Sequence, residues 1–269
     1  TALFLSVFGL DGHPDGRRLV VSAEDGTVRV LDTSTGSAVE TFLRHETRVT
    51  DVRWSPDATR LGTVAVDGAA LIWSTEDKSA FRIFADRRLD GDTPDRRLQW
   101  EPSTGRLLAS KTSIAAAFWP GQGRDSETIR YNGRISLSSG RDWGATSKGA
   151  GDFKIERRSS GEIAHRADMG NDAYLMHDWV PGKDTVLAGS SHGLWRFDVS
   201  DHGQIEASRL VDILGQVHQL RCSPEGERCA FINARTNVTI ADVESGATLP
   251  TVQPEGRVIH RALSWSPAG

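Results

Sequence analysis

Gly189-Ser190-Ser191-His192-Gly193 is the stretch of this sequence nearest to an enzyme's signature, because it fits the G-x-S-x-G spacing around a nucleophilic serine. That spacing works in hydrolases only where a strand runs into a sharp elbow and then a helix, with an aspartate and a histidine further along. Here the following residues, Leu194–Asp198, read as a strand, so the five residues are expected to be a hairpin turn of small residues. Asp90, Asp92 and Asp95 are spaced carboxylates of the kind that can bind calcium. The EF-hand spacing and its terminal glutamate are missing, however, and Arg87, Arg88, Arg96 and Arg97 neutralise the run. The eight histidines include no H-E-x-x-H or similar ligand spacing, and no glycine-rich phosphate loop is present. Cys222 and Cys229 read as small buried hydrophobes, with a cross-strand disulfide as the alternative. No catalytic residue, metal or cofactor is expected.

Composition narrows the partners. Across 269 residues, 36 acidic and 32 basic side chains are interspersed and give a net charge of −4. No one-sided basic stripe is available to follow a phosphate backbone, so nucleic acid is not an expected partner. No stretch approaches the roughly 20 apolar residues of a membrane helix, so neither is a membrane. Two cysteines are too few for a secreted disulfide scaffold, and cytoplasm is the default location.

The elements that must carry these residues come from a repeat. Leu10–Asp32 aligns with Val52–Ser74 at an offset of 42, which superposes Pro14 on Pro56, Leu19 on Leu61, Asp25-Gly26 on Asp67-Gly68 and Leu31 on Trp73. The position of Trp54 recurs as Gly12, Trp100, Leu137, Trp179, Cys222 and Trp265, at spacings of 42, 46, 37, 42, 43 and 43. Nineteen residues later in five of the copies stand Leu31, Trp73, Trp119, Glu156 (the one polar exception) and Ala241, with Phe197 filling the role one residue early in a sixth. Within a unit, Val49, Val52 and Trp54 mark a first strand and Ser55-Pro56-Asp57-Ala58 a turn. Leu61, Thr63 and Ala65 alternate on a second strand, and Asp67-Gly68 supplies a hairpin. Ala70, Ile72 and Trp73 form a third strand, followed by a shorter fourth such as Ala38–Phe42. Four antiparallel strands cannot bury both faces alone, and a period of 40 to 50 residues signals stacked sheets in a propeller.

These residues resemble the WD40 family over nearly the whole chain. The resemblance implies a hydrogen-bonded network of a histidine before the first strand, a hydroxyl on the second, an aspartate in the hairpin and a tryptophan on the third. Only the second repeat keeps all four, as His45, Thr63, Asp67 and Trp73. Elsewhere the pattern decays, with Leu31 for tryptophan in the first repeat and Ser113 for aspartate in the third. The fourth repeat, about Ile129–Gly161, is recovered mainly by Ile135, Gly151 and Ser160-Gly161. The sixth looks somewhat like the propeller repeats of TolB and prolyl oligopeptidases. The expected fold is all-β: a single propeller domain over 1–269 with six full four-stranded antiparallel blades and the first strand of a seventh, His260–Gly269. A fragment cut at both ends from a longer protein is one reading of that seventh opening. A natural six-bladed ring is the other.

The resemblance implies a non-catalytic scaffold or sensor domain of a larger bacterial multidomain protein that binds protein partners. The alternative is an accessory propeller gating a hydrolase or peptidase. By the same resemblance, the favoured binding rim carries Glu24, Arg48, Val66, Thr112, Ser191 and Ala234, with Lys111, His192 and Arg235 adjacent.

Overall fold

The computed structural model describes residues 6–43, 45–85, 97–101, 105–111, 114–118, 134–139, 142–148, 152–168, 176–213, 215–233, 237–250, 262–267 and 269. Among the described residues there are only strands, turns and bends, and no helix long and apolar enough to cross a membrane. The strands form six antiparallel meanders, each in chain order. The first holds β1 (Val7–Gly12), β2 (Arg18–Ala23), β3 (Thr27–Asp32) and β4 (Ala38–Leu43). The second holds β5 (Val49–Trp54), β6 (Arg60–Ala65), β7 (Ala69–Ser74) and β8 (Ala80–Ala85), and the third β9 (Arg97–Trp100), β10 (Leu107–Lys111) and β11 (Ile114–Phe118). Then come β12 (Arg134–Leu137), β13 (Trp143–Lys148), β14 (Asp152–Arg157) and β15 (Ile163–Asp168). The fifth sheet is β16 (Met176–Trp179), β17 (Thr185–Gly189), β18 (Gly193–Val199) and β19 (Ile205–Asp212); the sixth is β20 (Val217–Cys222), β21 (Arg228–Asn233) and β22 (Val238–Asp242).

The repeat frame is visible in the registers. Gly12, Trp54, Trp100, Leu137, Trp179 and Cys222 each end the first strand of their sheet. Trp54 faces Leu61, which faces Trp73, and Cys222 faces Cys229, which faces Ala241. In the third sheet, however, Leu107 faces Phe118, so Phe118 takes the place expected of Trp119. The β10–β11 hairpin is one residue shorter than β6–β7, as the β17–β18 hairpin also is, where Val186 faces Phe197. The weakly patterned fourth repeat is a complete four-stranded sheet, with Trp143, Phe153 and Ile155 buried.

Two compact units divide the chain: Thr1–Tyr131 with Ser266–Ala268, and Asn132–Trp265 with Gly269. In the first unit, Val20, Val28 and Val30 of the first sheet pack on Val52, Leu61 and Trp73 of the second. The opposite face of the second sheet, through Val64, Ala70 and Ile72, packs on Leu98, Trp100 and Leu107 of the third. The middle sheet is therefore covered twice, and every residue of Leu61–Ala65 is buried. In the second unit, Phe153 and Ile155 meet Trp179, Val186 and Phe197 in one core, while Leu187 and Leu194 meet Leu220, Cys229 and Phe231 in another.

Candidate interaction face

The hairpins between second and third strands lie beside the segments that enter the first strands. Backbone bonds fasten the two: Val66 N–H donates to the Arg48 carbonyl at 3.0 Å and Glu24 N–H to the Ser6 carbonyl at 3.2 Å. In the second unit, Ile213 N–H donates to the His192 carbonyl at 3.3 Å. The hairpin of the first sheet also abuts the entry to the second. Gly26 has φ +80°, and a Cβ there would stand 2.7 Å from the His45 carbonyl oxygen and 3.1 Å from that of Thr47. A side chain is barred by both the backbone angle and the neighbour.

Glu24, Arg48 and Val66 thus share one end of the first two sheets. The Arg48 guanidinium carbon lies 4.6 Å from the centre of the Phe8 ring, within cation–π range. Arg48 and Val66 are half-buried and Glu24 is exposed. Ser191 and His192 sit together on the β17–β18 turn, Ser191 Oγ 2.7 Å from His192 Nδ1. Lys111 is described only by its backbone, which pairs with Ile114. Thr112, Ala234 and Arg235 lie outside the described residues, as do Asp90, Asp92 and Asp95.

In the second sheet the Thr63 hydroxyl is the hub. Trp73 Nε1–H donates to its oxygen at 2.9 Å, and His45 Nε2 stands 2.7 Å away. An indole only donates, so the hydroxyl keeps its proton to give to His45 Nε2 or to the Leu71 carbonyl at 3.5 Å, as the histidine tautomer dictates. Asp67 instead serves its own hairpin, where Oδ1 accepts Ala69 N–H at 2.9 Å. Asp25, its counterpart in the first sheet, accepts both the N–H and the hydroxyl of Thr27 and pairs with Arg29 at 2.9 Å.

Packing accounts for the G-x-S-x-G stretch. Ser190 N–H donates to the Gly193 carbonyl at 2.8 Å, which closes a two-residue turn with β18 directly behind it. A Cβ at Gly189 would stand 2.7 Å from Val217 Cβ in the sixth sheet, and one at Gly193 would stand 2.8 Å from Arg209 Nε. The fixed Val217 root accounts for Gly189, and the Val211 carbonyl oxygen, 3.0 Å from a Cβ at Gly193, favours the second glycine, without any nucleophile elbow. Among the described residues no group of three or more His, Cys, Asp or Glu side chains is placed to hold a metal.

One set of residues went unread in the sequence. Asp11 and Asp178 stand next to last on their first strands, and each carboxylate accepts a backbone N–H from the next sheet at 2.9 Å: Trp54 for Asp11, Cys222 for Asp178. Asp51 does the same to Leu98 N–H at 2.8 Å. Arg53 bridges Asp11 and Asp51, 3.3 Å from each. Tryptophans make a companion link: Trp100, Trp179 and Trp265 donate from Nε1 to the carbonyls of Arg53, Ser136 and Arg221 at 3.2, 3.0 and 3.0 Å. The readable signal was Asp11 followed 42 residues later by Arg53, and Asp178 followed 43 later by Arg221.

Stacked four-stranded antiparallel meanders define the β-propeller class. The solved β-propeller domain of Cps50 (Swd1) from Myceliophteria thermophila superposes with a TM-score of 0.75 over 98% of this chain and 90% of its own, at 14% identity. Residues 4–57 match the family described as the anaphase-promoting complex subunit 4 WD40 domain. The chain is 34% identical to guanine nucleotide-binding protein subunit beta-1 of Nicotiana tabacum over 93 residues, 34% of this chain and 25% of the relative. It is 26% identical to WD repeat and HMG-box DNA-binding protein 1 of Mus musculus over 98 residues, 35% of this chain and 9% of the relative. The chain thus spans at most about a quarter of the length of these two curated relatives; its fold is that of a β-propeller, and its repeats are similar to WD40 repeats.

Proposed function

We propose that the chain is a non-catalytic scaffold whose protein-contact face is the hairpin end of the first two sheets. The observation that carries this is Arg48, held 4.6 Å above Phe8 and tied by its backbone to Val66. A guanidinium stacked on a ring has already surrendered rotamer freedom, so it can anchor a partner at low entropic cost. Exposed Glu24 on the neighbouring hairpin adds the opposite sign, which suits a protein surface. Ser191 and His192 offer the corresponding patch of the second unit. The net charge of −4 supports a protein rather than a nucleic acid or membrane partner. Two cysteines, too few for a secreted disulfide scaffold, support the cytoplasm as its compartment. A place within a larger, bacterial multidomain protein is proposed from the character of the degenerate repeats alone.

The test is site-specific photo-crosslinking in the native host. A crosslinker at Glu24 or Ser191 should capture a protein, one at Ser34 in the turn at the far end of the first sheet should not, and Arg48→Ala should abolish capture from Glu24. Equal capture from Ser34, or capture from Glu24 that survives Arg48→Ala, would refute this face. Capture of DNA instead of protein would refute the partner class.

A further inference from the structure

Cys222 ends β20 directly opposite Cys229 on β21. Ser223 N–H donates to the Arg228 carbonyl at 2.8 Å, so 223 and 228 are a hydrogen-bonded pair. The ladder alternates, which makes Cys222 and Cys229 the closer, non-hydrogen-bonded kind, with Cα atoms typically about 4.5 Å apart. That separation is inside the range a disulfide spans. Both thiols are free and lie in the core shared by the fifth and sixth sheets, among Leu187, Leu194 and Phe231. Burial first, and then the Asp178 carboxylate, holds the Cys222 thiol well above its ordinary range and pushes Cys229 up to about 12. Closed, the pair is therefore inert. Across the two sheets, Cys222 N–H donates to Asp178 Oδ2 at 2.9 Å.

We propose that Cys222 and Cys229 are a cryptic dithiol, oxidised to a cross-strand disulfide by a small-molecule disulfide of the glutathione class when the fifth and sixth sheets part at Asp178. In the opened state one cysteine gives its proton to water, and its thiolate attacks a sulfur of glutathione disulfide, expelling one glutathione thiolate. The opposing cysteine, deprotonated in turn, attacks the protein sulfur of that mixed disulfide and expels the second. Two protein thiols lose two protons and two electrons, and the oxidant leaves as two glutathione thiols. The product ties β20 to β21 beside the turn Ser223–Glu227 and records that the interface has opened.

The intact chain, incubated with glutathione disulfide at about pH 8, is alkylated and weighed by mass spectrometry over time. Wild type should convert slowly to a species that carries no alkyl group and is two hydrogens lighter than the unalkylated chain, with little glutathione adduct. Asp178→Ala should react roughly tenfold faster or more, having lost the bond between the sheets. Asp178→Asn keeps an amide oxygen to accept the Cys222 N–H and should stay near the wild-type rate. Cys222→Ser and Cys229→Ser should each stop at the mixed disulfide. A glutathione adduct that persists on the two-cysteine chain would overturn the pairing. Equal rates for wild type and a folded Asp178→Ala would overturn the gate. Should Asp178→Ala not fold, wild type in rising sub-denaturing urea decides: oxidation that accelerates with urea supports gating, and a rate independent of urea overturns it.

Discussion

Thr63 concentrates more consequence in one atom than any other residue of the second sheet, because its buried hydroxyl serves two rings at once. Thr63→Val keeps the shape but leaves the Trp73 indole N–H and His45 without that partner. An unsatisfied buried polar group costs about 1–3 kcal/mol, and each ring would lose one bond. Asp67→Ala removes one hairpin bond, to Ala69 N–H, and it should cost about 1 kcal/mol. Urea unfolding of the two variants measures the difference; a Thr63→Val loss no larger than that of Asp67→Ala would place the network's weight elsewhere. The family pattern in the sequence put His45, Thr63, Asp67 and Trp73 on a par. Side-chain geometry ranks them, because among the described residues the hydrogen bond to Asp67 comes from its own turn.

Turns are where this chain specifies its elements. Asp32 accepts the N–H groups of Ser34 and Thr35, and Gly36 N–H closes back on the Asp32 carbonyl at 2.8 Å; Asp242, Ser245 and Gly246 repeat the arrangement. Gly36 and Gly246 have φ +67° and +70°, and Lys78 stands at the same place in the second sheet with φ +58°. A side chain there costs about 1–2 kcal/mol, part of which the greater freedom of unfolded glycine offsets. Lys78→Gly should therefore raise stability by roughly 0.5–1 kcal/mol, read as a higher urea midpoint at unchanged m. A lower midpoint would show that the turn is held by its lysine.

The turn aspartates also set the response to acid. The Ser55 hydroxyl, opposed by desolvation and aided by Thr59, holds Asp57 below the usual carboxylate range. A depressed folded pKa means stability that is present above the unfolded value of about 3.9 and is lost as pH falls through the folded value. Unfolding free energy should thus drop below about pH 4, and Asp57→Asn, which cannot titrate, should flatten part of that drop. Parallel curves for the two proteins between about pH 2 and 5 would exclude the contribution.

At the scale of the whole molecule, the spacing between sheets rests on glycines that no turn requires. A Cβ at Gly189 would meet Val217 Cβ at 2.7 Å, the rigid root of a branched side chain. One at Gly62 would meet the Leu107 methyls at 2.7 and 2.8 Å, the far end of a side chain that can turn aside. Overpacking costs about 1–3 kcal/mol, so Gly189→Ala should fall at the upper end and Gly62→Ala at the lower, measured by thermal unfolding. The reverse order would mean that the fifth and sixth sheets separate more easily than the second and third. A serine-hydrolase motif can thus arise from packing: Gly189 keeps two sheets close, Gly193 leaves room for Arg209, and Ser190 closes the turn between them.

By itself the sequence determined the all-β class, the order of strands within a repeat and the ends of the first strands, because turn chemistry at Pro56-Asp57 and Asp67-Gly68 and two-residue alternation act within a few residues. It was silent where the deciding neighbour is a repeat away. Nothing near Leu61–Ala65 says that both faces of β6 are covered, since a strand buried on one face shows the same alternation. Trp119 satisfied the spacing, yet a hairpin one residue shorter gave its place to Phe118. The tie from Asp178 to Cys222 and the seat of Arg48 on Phe8 join residues 44 and 40 positions apart. Only the tertiary structure decided these, because an edge strand's unpaired N–H groups take whatever acceptor the next sheet brings near, and that depends on how the sheets stack rather than on any residue alone.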